Sequence, residues 1–203
     1  MVLAGVMIEE RDLHKLEEMG VKDSKLLSPK QRELIFTNII KLVKTYKIIK
    51  VSPQEVDAYV LSDGRTNLNW LEADKMAEII NFLKPDKVVV DCPSTNKKAF
   101  AEYLQNKLVV KTTLLCEHKA DRDFLQAGAA SILAKVTRDE EIEKIKAKLR
   151  IDFGSGYPAD PLTKRFLKEN WDKYPEIFRH SWSSYRAYSK GSKSVKQKSL
   201  EDF

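Results

Sequence analysis

The sequence predicts an α/β fold in which short strands alternate with amphipathic helices. Three observations support this prediction. Apolar residues recur at helical spacing after clear helix-start signals, short β-branched runs lie between these segments, and 42% of the 203 residues are hydrophobic. A chain of this length and hydrophobic content can form one main domain with an ordinary core and a small appendage.

An apolar strand opens the chain and is followed by a helix with a clear start signal. Residues 1–8 are apolar and lead directly into charged residues, so the run is too short to span a bilayer and has no basic leader of a targeting signal. Ser28, Pro29 and Gln31 form a cap, a first-turn proline and a capping-box partner. The apolar residues that follow keep helical spacing as far as Tyr46, which predicts an amphipathic helix.

The alternation of strands and helices continues through the middle of the chain. Residues 48–51 suit a strand, a second start signal at residues 52–55 predicts a short helix, and residues 68–83 return to the helical period. Residues 87–91 form a short apolar strand that ends in an aspartate, and a helix separates it from a second strand at residues 108–115. These last three elements resemble a βαβ unit.

The remaining third of the chain is predicted to be mostly helical. A long helix runs from residue 124 to about residue 150, and the small residues near its start suit a close approach to a sheet or a phosphate backbone. A glycine-rich loop at residues 153–158 precedes Asp160 and Pro161, which cap and open another helix. From Gly191 onward the chain is rich in Lys and Ser without apolar periodicity, and we expect it to be disordered when alone.

The charge balance favours a polyanionic partner without requiring one. Thirty-six Lys and Arg residues against 30 Asp and Glu residues give a net charge of +6. Part of this excess is local, because lysines crowd into the last stretch of the chain. The two cysteines, Cys92 and Cys116, are too few for a disulfide scaffold and too far apart for a metal knuckle, so reduced thiols are expected.

Two aspartates are candidates for a catalytic and metal-binding site. Asp91 follows a strand, at the edge where open α/β sheets bind ligands, and Asp121 precedes the long helix. Each has a second interpretation, since an aspartate after a strand often caps its loop and one before a helix often caps that helix. His118 could act as a proton shuttle, although a lone surface histidine usually has no such role.

Phosphodiester cleavage is a reaction that neighbouring carboxylates and lysines suit. It needs an activated water and stabilisation of charge on the attacking and leaving oxygens, which two Mg²⁺ or Mn²⁺ ions roughly 4 Å apart can supply. Such hard ions require several carboxylate oxygens. Asp91 and Asp121 alone are too few for a secure two-ion site.

Four motifs in a fixed order resemble a known family. They are GVKDSK at residues 20–25, EHKAD at 117–121, AASILAKVTRD at 129–139 and GSGYPADP at 154–161. Together they resemble ribonuclease HII of the archaeal kind over nearly the whole chain. The resemblance implies a ribonuclease H-like mixed sheet flanked by helices, with a small C-terminal helical appendage.

The resemblance also assigns roles to individual residues. Asp91 and Asp121 match the family's third and fourth acidic residues, which implies that they are metal ligands and catalytic groups. Tyr157 is similar to the family's tyrosine that stacks on the sugar at an RNA/DNA junction, and Lys25 and Lys119 resemble family lysines near the substrate backbone. The plainer interpretations are a turn aromatic and solvated lysines.

The chain departs from the family at its start. Family members begin with a strand carrying Asp-Glu-Ala-Gly-Arg-Gly, which should directly precede Met1, and no other Asp-Glu pair of this chain replaces it. With that strand go two acidic metal ligands, a loop that reads the RNA 2′-hydroxyl and a central strand of the sheet. We expect the cause to be a late start codon or a truncated sequence, and we expect the activity of the chain as it stands to be impaired.

The C-terminal residues resemble a clamp-binding peptide. Gln197, Leu200 and Phe203 match the peptide box that binds archaeal and eukaryotic sliding clamps (PCNA), although its usual second aromatic is missing. Lysines upstream would meet an acidic clamp surface, and such tails fold on binding. A short pattern of this kind also arises by chance, but its terminal position favours the functional interpretation.

The expected organisation has three parts. These are a ribonuclease H-like catalytic domain at residues 1–152, a substrate loop and helical appendage at 153–190, and a flexible tail with the clamp-binding motif at 191–203. We expect a cytoplasmic monomer without membrane association.

The expected activity is hydrolysis of the RNA strand of RNA/DNA hybrids with Mg²⁺ or Mn²⁺, leaving 5′-phosphate and 3′-hydroxyl ends, in primer and ribonucleotide removal. The alternative is a catalytically inactive nucleic-acid-binding module tethered to the sliding clamp. A third possibility, a resolvase- or transposase-type nuclease of the same broad fold, predicts cleavage of substrates without ribonucleotides, and the GSGYPADP loop argues against it.

Overall fold

A computed structural model of the chain describes residues 1–21, 28–62 and 67–194. The chain divides into two units, of which the first comprises Met1–Lys50 with Asn67–Glu140 and the second Val51–Thr66 with Glu141–Phe203. The helices, in chain order, are α1 (Leu13–Glu18), α2 (Pro29–Leu42), α3 (Pro53–Leu61), α4 (Leu68–Leu83), α5 (Lys97–Lys107), α6 (Ala120–Asp123), α7 (Leu125–Leu149), α8 (Pro161–Asn170) and α9 (Ser183–Ser194).

In the described part of the first unit, the strands form two separate pairs. Strand β1 (Val2–Met7) runs antiparallel to β2 (Thr45–Lys50), with Val2 opposite Lys50. Strand β3 (Lys87–Asp91) runs parallel to β4 (Thr113–Glu117), and α5 forms the crossover between them. The βαβ unit predicted from the sequence is therefore confirmed, and the alternation of strands and helices places the first unit in the α/β class.

Each strand pair packs against its own hydrophobic cluster. Side chains of α1, α2 and α7 form the first cluster, and Ala4 and Val6 of β1 pack against it. Side chains of α4, α5, β3 and β4 form the second cluster, which includes the fully buried Phe100. The two helical layers thus lie on opposite faces of the strands, as expected for a sheet covered on both sides.

Local signals fix the starts of several helices as predicted. The Ser28 hydroxyl accepts from the Gln31 backbone N–H at 3.3 Å while the Gln31 side chain accepts from the Ser28 N–H at 2.8 Å, which confirms the capping box. Ser52 caps α3 by accepting the Glu55 N–H and Asp160 caps α8 by accepting the Leu162 N–H, each with a proline in the first turn. The prediction of a helix over residues 68–83 is confirmed.

The second unit is stabilised by an aromatic cluster and by a half-buried carboxylate. The ring of Phe166 lies 4.8 Å from that of Phe153 and 6.1 Å from that of Tyr174. The Asp57 carboxylate of α3 accepts backbone N–H groups of His180 and Ser181 at 2.6 and 2.8 Å. These contacts tie α3 to the segment that precedes α9.

Three predicted boundaries differ from the structure. Tyr46, assigned to the helix from its spacing, lies in β2, because the chain turns extended at Val43 and Thr45 already pairs with Met7. The second strand of the βαβ unit begins at Thr113 and not at Leu108, since the Leu108 N–H bonds to Gln105 and ends α5. Helix α9 continues to Ser194, past the position where the tail was predicted to begin.

Among the described helices, none combines the length and the apolar character needed to cross a membrane.

Candidate functional site

The candidate site lies at the carboxyl ends of β3 and β4. Asp91 is the last residue of β3, and α6 begins three residues after the end of β4. The Cys92 N–H donates to the Glu117 carbonyl at 2.9 Å, which extends the pairing of the two strands to the rim of the site. A pocket of about 740 Å³ opens there, and its lining includes Asp91, His118, Lys119 and Asp121.

A hydrogen bond from strand to helix brings the two aspartates to the same pocket. The backbone N–H of Ala120 donates to Oδ1 of Asp91 at 3.0 Å, and Ala120 itself is fully buried. Asp121 is the next residue, so the bond that fixes the start of α6 also fixes the backbone position of Asp121. Asp91 therefore caps the turn through one oxygen and also lines the pocket.

Helix α7 holds α6 in place through a close backbone approach. A side-chain Cβ at Gly128 would lie 2.8 Å from the carbonyl oxygen of Asp121 and 3.0 Å from a methyl group of Val21. Such separations are too short for a carbon atom, so only glycine permits this packing. Gly128, one of the small residues near the start of the long helix, therefore serves a close approach to the backbone of a candidate site residue, whereas the sequence predicted an approach to a sheet or a phosphate backbone.

Lys119 makes the turn between β4 and α6. Its backbone has φ 58° and ψ 33°. These angles lie in the left-handed region, which residues other than glycine adopt at a cost of roughly 1–2 kcal/mol. The conformation reverses the chain within one residue and directs Asp121 towards the carboxyl end of β3. Lys119 therefore contributes a left-handed turn as well as a cationic side chain to the pocket lining.

A salt bridge and a histidine contact organise the charges at the rim. Glu117 lies opposite Asp91 in the parallel register, so two carboxylates follow neighbouring strands. The Nζ atom of Lys97 lies 2.9 Å from Oε2 of Glu117, which offsets the negative charge of that second carboxylate. Nδ1 of His118 lies 3.1 Å from the carbonyl oxygen of Cys92; because a carbonyl only accepts, Nδ1 carries the hydrogen in this bond.

The donor atoms of the pocket suit a hard divalent cation but are few. Carboxylate oxygens are the ligands that Mg²⁺ and Mn²⁺ prefer, and Asp91 and Asp121 supply them at one pocket. Within residues 1–21, 28–62 and 67–194, no group of three or more His, Cys, Asp and Glu side chains is arranged to hold a metal ion. The pocket thus has the right chemistry for part of a metal site.

The two cysteines belong to the core beside the pocket, and Cys92 is also one of the residues that line it. Both are buried as free thiols, and burial raises the pKa of the Cys116 thiol to about 11, with a further contribution from Cys92. A neutral thiol is a poor metal ligand and a poor nucleophile. The expectation of reduced thiols agrees with this arrangement.

In the second unit, Tyr157 lies on a loop with a defined internal structure. The backbone takes left-handed conformations at Gly154 and Gly156, with φ of 79° and 72°, and the Tyr157 side chain is 44% exposed. Oδ2 of Asp160 accepts both the N–H and the hydroxyl of Ser155, at 2.6 and 2.7 Å.

These bonds from Ser155, with others from the Leu162 and Thr163 backbone, lower the pKa of Asp160 to about 2. The loop is therefore closed on itself by an ionised carboxylate.

The remaining predicted site residues lie outside the described residues. These are Lys25 and the clamp-binding positions Gln197, Leu200 and Phe203. The sequence did not reveal the contacts that two further residues make, Lys97 with Glu117 and Asp160 with Ser155. Asp160 was interpreted only as a helix cap, and the partner of Lys97 lies 20 positions away, so neither contact had a local signal.

The family model and the most similar relatives name the same family. The family model for ribonuclease HII matches residues 1–185. The ribonuclease HII of Pyrococcus furiosus is 40% identical over 209 residues, covering 100% of this chain and 91% of that protein. The ribonuclease HII of Thermococcus sibiricus is 41% identical and covers 92% of this chain and 83% of that protein.

Solved structures agree with the sequence comparisons. The crystal structure of ribonuclease H2 from Pyrococcus horikoshii superposes with a TM-score of 0.82 at 37% identity, covering 95% of this chain and 99% of that chain. The ribonuclease HII in a PCNA complex from Archaeoglobus fulgidus superposes with a TM-score of 0.77, also at 37% identity, covering 100% of this chain and 92% of that chain.

The strand pairs are covered by helices, carboxylates lie at the carboxyl ends of β3 and β4, and the fold superposes on that of a ribonuclease H2. These features define this protein as a hydrolase of the ribonuclease H-like fold class. The family match over residues 1–185 and the identities near 40% then place it more narrowly. The chain belongs to the ribonuclease HII family, and it is accordingly an enzyme of the endonuclease class.

Proposed function

We propose that this chain hydrolyses phosphodiester bonds in the RNA strand of RNA/DNA hybrids, leaving 5′-phosphate and 3′-hydroxyl ends. The observation that carries the proposal is the convergence of Asp91 and Asp121 on one pocket, in a chain of the ribonuclease HII family. The cellular tasks would be the removal of primers and of single ribonucleotides, and the site of action would be the cytoplasm.

The two aspartates would hold divalent cations, Mg²⁺ or Mn²⁺, through their carboxylate oxygens. When bound, such cations activate water and neutralise charge on the leaving oxygen. Asp91 presents one oxygen to Ala120, and that bond limits the rotation of its carboxylate. A ligand with restricted rotation loses less entropy when it binds a cation, so the hydrogen bond would preorganise the site.

The lysines would recognise the nucleic-acid backbone. Lys119 lines the pocket beside the two aspartates, where its ammonium group can meet a phosphate oxygen of the cleaved strand. Lys25 is proposed for the same role on the resemblance of its motif alone. Phosphate contacts of this kind hold a substrate in register without reading its sequence.

Tyr157 would recognise the sugar at the RNA/DNA junction by stacking. The loop closed by Asp160 and Ser155 presents the ring with 44% of the side chain exposed. Replacement of Tyr157 by Ala should therefore weaken hybrid binding, whereas replacement by Phe keeps a stacking surface and should retain most of it. Equal losses in the two variants would argue against stacking.

A cleavage assay separates the enzyme from a binding module that has no activity. A labelled duplex with a single embedded ribonucleotide is incubated with the chain and either Mg²⁺ or Mn²⁺, and the ends of the products are identified. Asp91→Asn should abolish cutting, because it removes the charge but keeps the Oδ1 atom that accepts from Ala120. Asp123→Asn is the matched control, since this exposed carboxylate of α6 is bonded to Arg122.

The possible results distinguish three functions. Cutting that depends on Asp91 supports the proposal, and binding of the hybrid without cutting would favour the inactive module. Cutting of a DNA duplex without ribonucleotides would favour a resolvase-type nuclease instead. The comparison of Mg²⁺ with Mn²⁺ in the same assay gives the preferred cation.

We further propose that the C-terminal residues Gln197, Leu200 and Phe203 bind a sliding clamp. The relative from Archaeoglobus fulgidus was solved as a complex of PCNA with ribonuclease HII, and it is 37% identical to this chain. Binding of the full chain to an archaeal PCNA should be lost when Phe203 is changed to Ala, while cleavage of a short duplex stays unchanged. Light scattering of the free protein tests the expectation that it is a monomer.

A further inference from the structure

Lys146 lies near the end of α7 and reaches the segment that leads to Tyr157. Its Nζ atom lies 2.8 Å from Oε1 of Glu143 on the same helix and 3.1 Å from Oδ1 of Asp152, beyond the helix end. The Lys146 side chain is only 17% exposed, whereas that of Lys144 is 63% exposed. Lys146 is therefore held between a carboxylate of the helix and a carboxylate of the segment that follows it.

The backbone of Lys146 also determines how the chain leaves α7. Its carbonyl oxygen accepts the N–H of Ile151 at 3.3 Å, and Arg150 between them has a left-handed backbone with φ 56°. This is the bond of a Schellman helix end, with Arg150 in the position that glycine usually occupies. The carbonyl and the ammonium group of one residue thus both bind the segment that turns back after the helix.

Asp152 extends this contact to the loop of residues 154–160, which we call the Tyr157 loop. Oδ1 of Asp152 accepts the N–H of Gly154 at 3.0 Å, so one oxygen atom faces both the Lys146 ammonium and the first residue of the loop. The Gly154 N–H and then the Lys146 ammonium lower the pKa of the Asp152 carboxyl. The ionised carboxylate of Asp152 therefore links α7 to the loop.

Phe153 anchors the start of the loop in the aromatic cluster. Its ring is buried and lies 4.8 Å from that of Phe166, and its carbonyl oxygen accepts the Thr163 hydroxyl at 2.9 Å. The Nζ atom of Lys146 lies 5.9 Å from the centroid of the Phe153 ring, near the limit of about 6 Å for a cation–π contact. Lys146 therefore contacts both residues that lead into the loop, Asp152 and Phe153.

The contacts of Asp160 and of Lys146 have different consequences for the loop. Oδ2 of Asp160 accepts the N–H and the hydroxyl of Ser155, and these bonds lie within the loop itself. The contacts of Lys146 come instead from α7, a helix of 25 residues. Asp160 thus maintains the internal shape of the loop, whereas Lys146 resists a movement of the loop as a unit.

We propose that Lys146 is a positioning residue that sets the orientation of the Tyr157 loop and thereby the selectivity of the chain for a duplex that contains a ribonucleotide. Lys146 acts through Asp152 and Gly154 and not through a contact with nucleic acid. The proposal rests on the stacking function proposed above for Tyr157, because a ring selects a junction sugar only when its position and angle are fixed.

A lysine that binds a phosphate would give a different result. Phosphate contacts carry no sequence information and contribute to the binding of any duplex. Loss of such a lysine should therefore weaken the binding of a ribonucleotide-containing duplex and of an all-DNA duplex by the same factor. Loss of a positioning residue should weaken mainly the binding of the duplex that Tyr157 recognises.

The experiment measures the binding of two fluorescently labelled duplexes by anisotropy. One duplex contains a single ribonucleotide, and the other has the same sequence without it. Selectivity is the ratio of the dissociation constant of the all-DNA duplex to that of the ribonucleotide duplex. Every protein, including the reference, is the full chain with Asp91→Asn, so that binding is measured apart from the cleavage proposed above.

Four variants separate the ion pair from a general loss of charge. Lys146→Met removes the ammonium group and keeps an unbranched side chain, and Lys146→Arg restores a cation. Asp152→Asn breaks the same ion pair from the other side while its amide oxygen can still accept the Gly154 N–H. Lys144→Met is the matched control, because Lys144 pairs with Glu141 of the same helix at 2.7 Å.

Lys146→Met should weaken binding of the ribonucleotide duplex about three- to tenfold, since ion pairs and cation–π contacts at partly exposed sites contribute up to about fivefold each. Binding of the all-DNA duplex should change far less, so selectivity falls. Asp152→Asn should lower selectivity as well, Lys146→Arg should retain most of it, and Lys144→Met should leave it unchanged. Urea titrations check that each variant is folded.

A double-mutant cycle tests whether Lys146 acts through Tyr157. Tyr157→Ala should lower selectivity by itself, and Lys146→Met should then cause no further loss, because the effects of coupled residues do not add. A full additional loss in the Tyr157→Ala chain would overturn the proposal. Equal weakening of both duplexes by Lys146→Met would also overturn it and would assign Lys146 to phosphate binding.

The same measurements separate this proposal from the function on which it rests. If Tyr157→Ala lowers selectivity and Lys146→Met does not, the positioning role of Lys146 is overturned and the stacking function of Tyr157 stands. If neither substitution changes selectivity, both are overturned.

Discussion

Oδ1 of Asp91 accepts the backbone N–H of Ala120 at 3.0 Å, and this bond joins the end of β3 to the start of α6. The two residues are 29 positions apart in the sequence, and Ala120 is fully buried. One carboxylate therefore supports the fold through one oxygen and faces the pocket as a candidate ligand. Structural and catalytic contributions of Asp91 can be separated by the choice of substitution.

Asp91→Ala should destabilise the protein more than Asp91→Asn. Alanine leaves the buried Ala120 N–H without an acceptor, which costs about 1–3 kcal/mol, whereas the asparagine side chain keeps an acceptor oxygen in the same place. The free energy of unfolding from urea titrations measures the difference. Both variants should lose cleavage activity, so equal stability of the two would show that the hydrogen bond contributes nothing.

Gly128→Ala should lower both stability and cleavage. Intrinsic helix propensity favours alanine over glycine by about 1 kcal/mol, but the added Cβ would lie 2.8 Å from the Asp121 carbonyl oxygen, which is backbone and cannot rotate away. The overpacking cost of about 1–3 kcal/mol should therefore prevail, and the shift of α6 should misplace the Asp121 carboxylate.

Urea titrations and the hybrid cleavage assay measure the two effects of Gly128→Ala. Glu140→Ala, an exposed change on the same helix, should alter neither stability nor cleavage. A variant Gly128→Ala more stable than the parent chain would contradict the packing of α7 against α6.

Removal of the Asp160 carboxylate should change the pH dependence of stability in acid. Hydrogen bonds from the Ser155 N–H and hydroxyl lower the pKa of Asp160 from 3.8 to about 2. Because the folded-state pKa is the lower one, the ionised group stabilises the native state above its unfolded pKa. That contribution is lost as the pH falls from about 4 towards about 2.

The measurement compares the parent chain with Asp160→Asn. The difference in unfolding free energy between them should be largest at about pH 5 and should shrink by about pH 3. Asp86→Asn, which alters an exposed aspartate outside the loop, serves as the control. A difference that stays constant over this range would contradict the role of ionised Asp160.

Gly154→Ala should be more disruptive than Gly20→Ala. Both glycines have left-handed backbones, with φ of 79° and 76°, so each substitution carries a strain of roughly 1–2 kcal/mol. At Gly20 an added Cβ meets nothing within 4 Å, whereas at Gly154 it collides with the carboxylate of Asp160. The extra cost at Gly154 should therefore come from the broken bonds between Asp160 and Ser155.

Thermal unfolding of the two variants checks this expectation, and hybrid binding gives a second measurement. If the loop positions Tyr157 for stacking, Gly154→Ala should weaken binding while Gly20→Ala should not. Identical melting temperatures for the two variants would show that the loop absorbs the added carbon without loss.

The sequence predicted those features whose signals are local. Ser28 with Gln31, and Asp160 with Pro161, start their helices through bonds that span no more than three residues, so the pattern alone reveals them. The apolar run of β3 was equally clear because a buried parallel strand is continuously apolar. The placement of Asp91 after this strand then followed from chain order.

Local sequence patterns did not predict the boundaries and contacts that tertiary structure determines. Tyr46 continues the apolar spacing of α2, yet the pairing of β2 with β1 decides its conformation. Residues after Leu108 look like a strand, but the Val109 N–H bonds to the side chain of Asn81, so pairing with β3 begins only at Thr113. The salt bridge of Lys97 with Glu117 depends on the crossover through α5, and no local sequence pattern indicates it.

The division of the strands into two ladders also bears on how the protein opens. Each ladder lies against its own hydrophobic cluster, so the loss of one does not require backbone bonds of the other to break. Sub-global unfolding follows such divisions, and amides of the β1–β2 ladder would then exchange with solvent on a different timescale from those of β3 and β4. Side chains of α4 couple the two ladders, since Ile79 contacts Gly5 of β1 and Ile80 belongs to the cluster of β3 and β4. Loss of this coupling would separate the strands beside Asp91, so an opening of the fold would also disturb the candidate site.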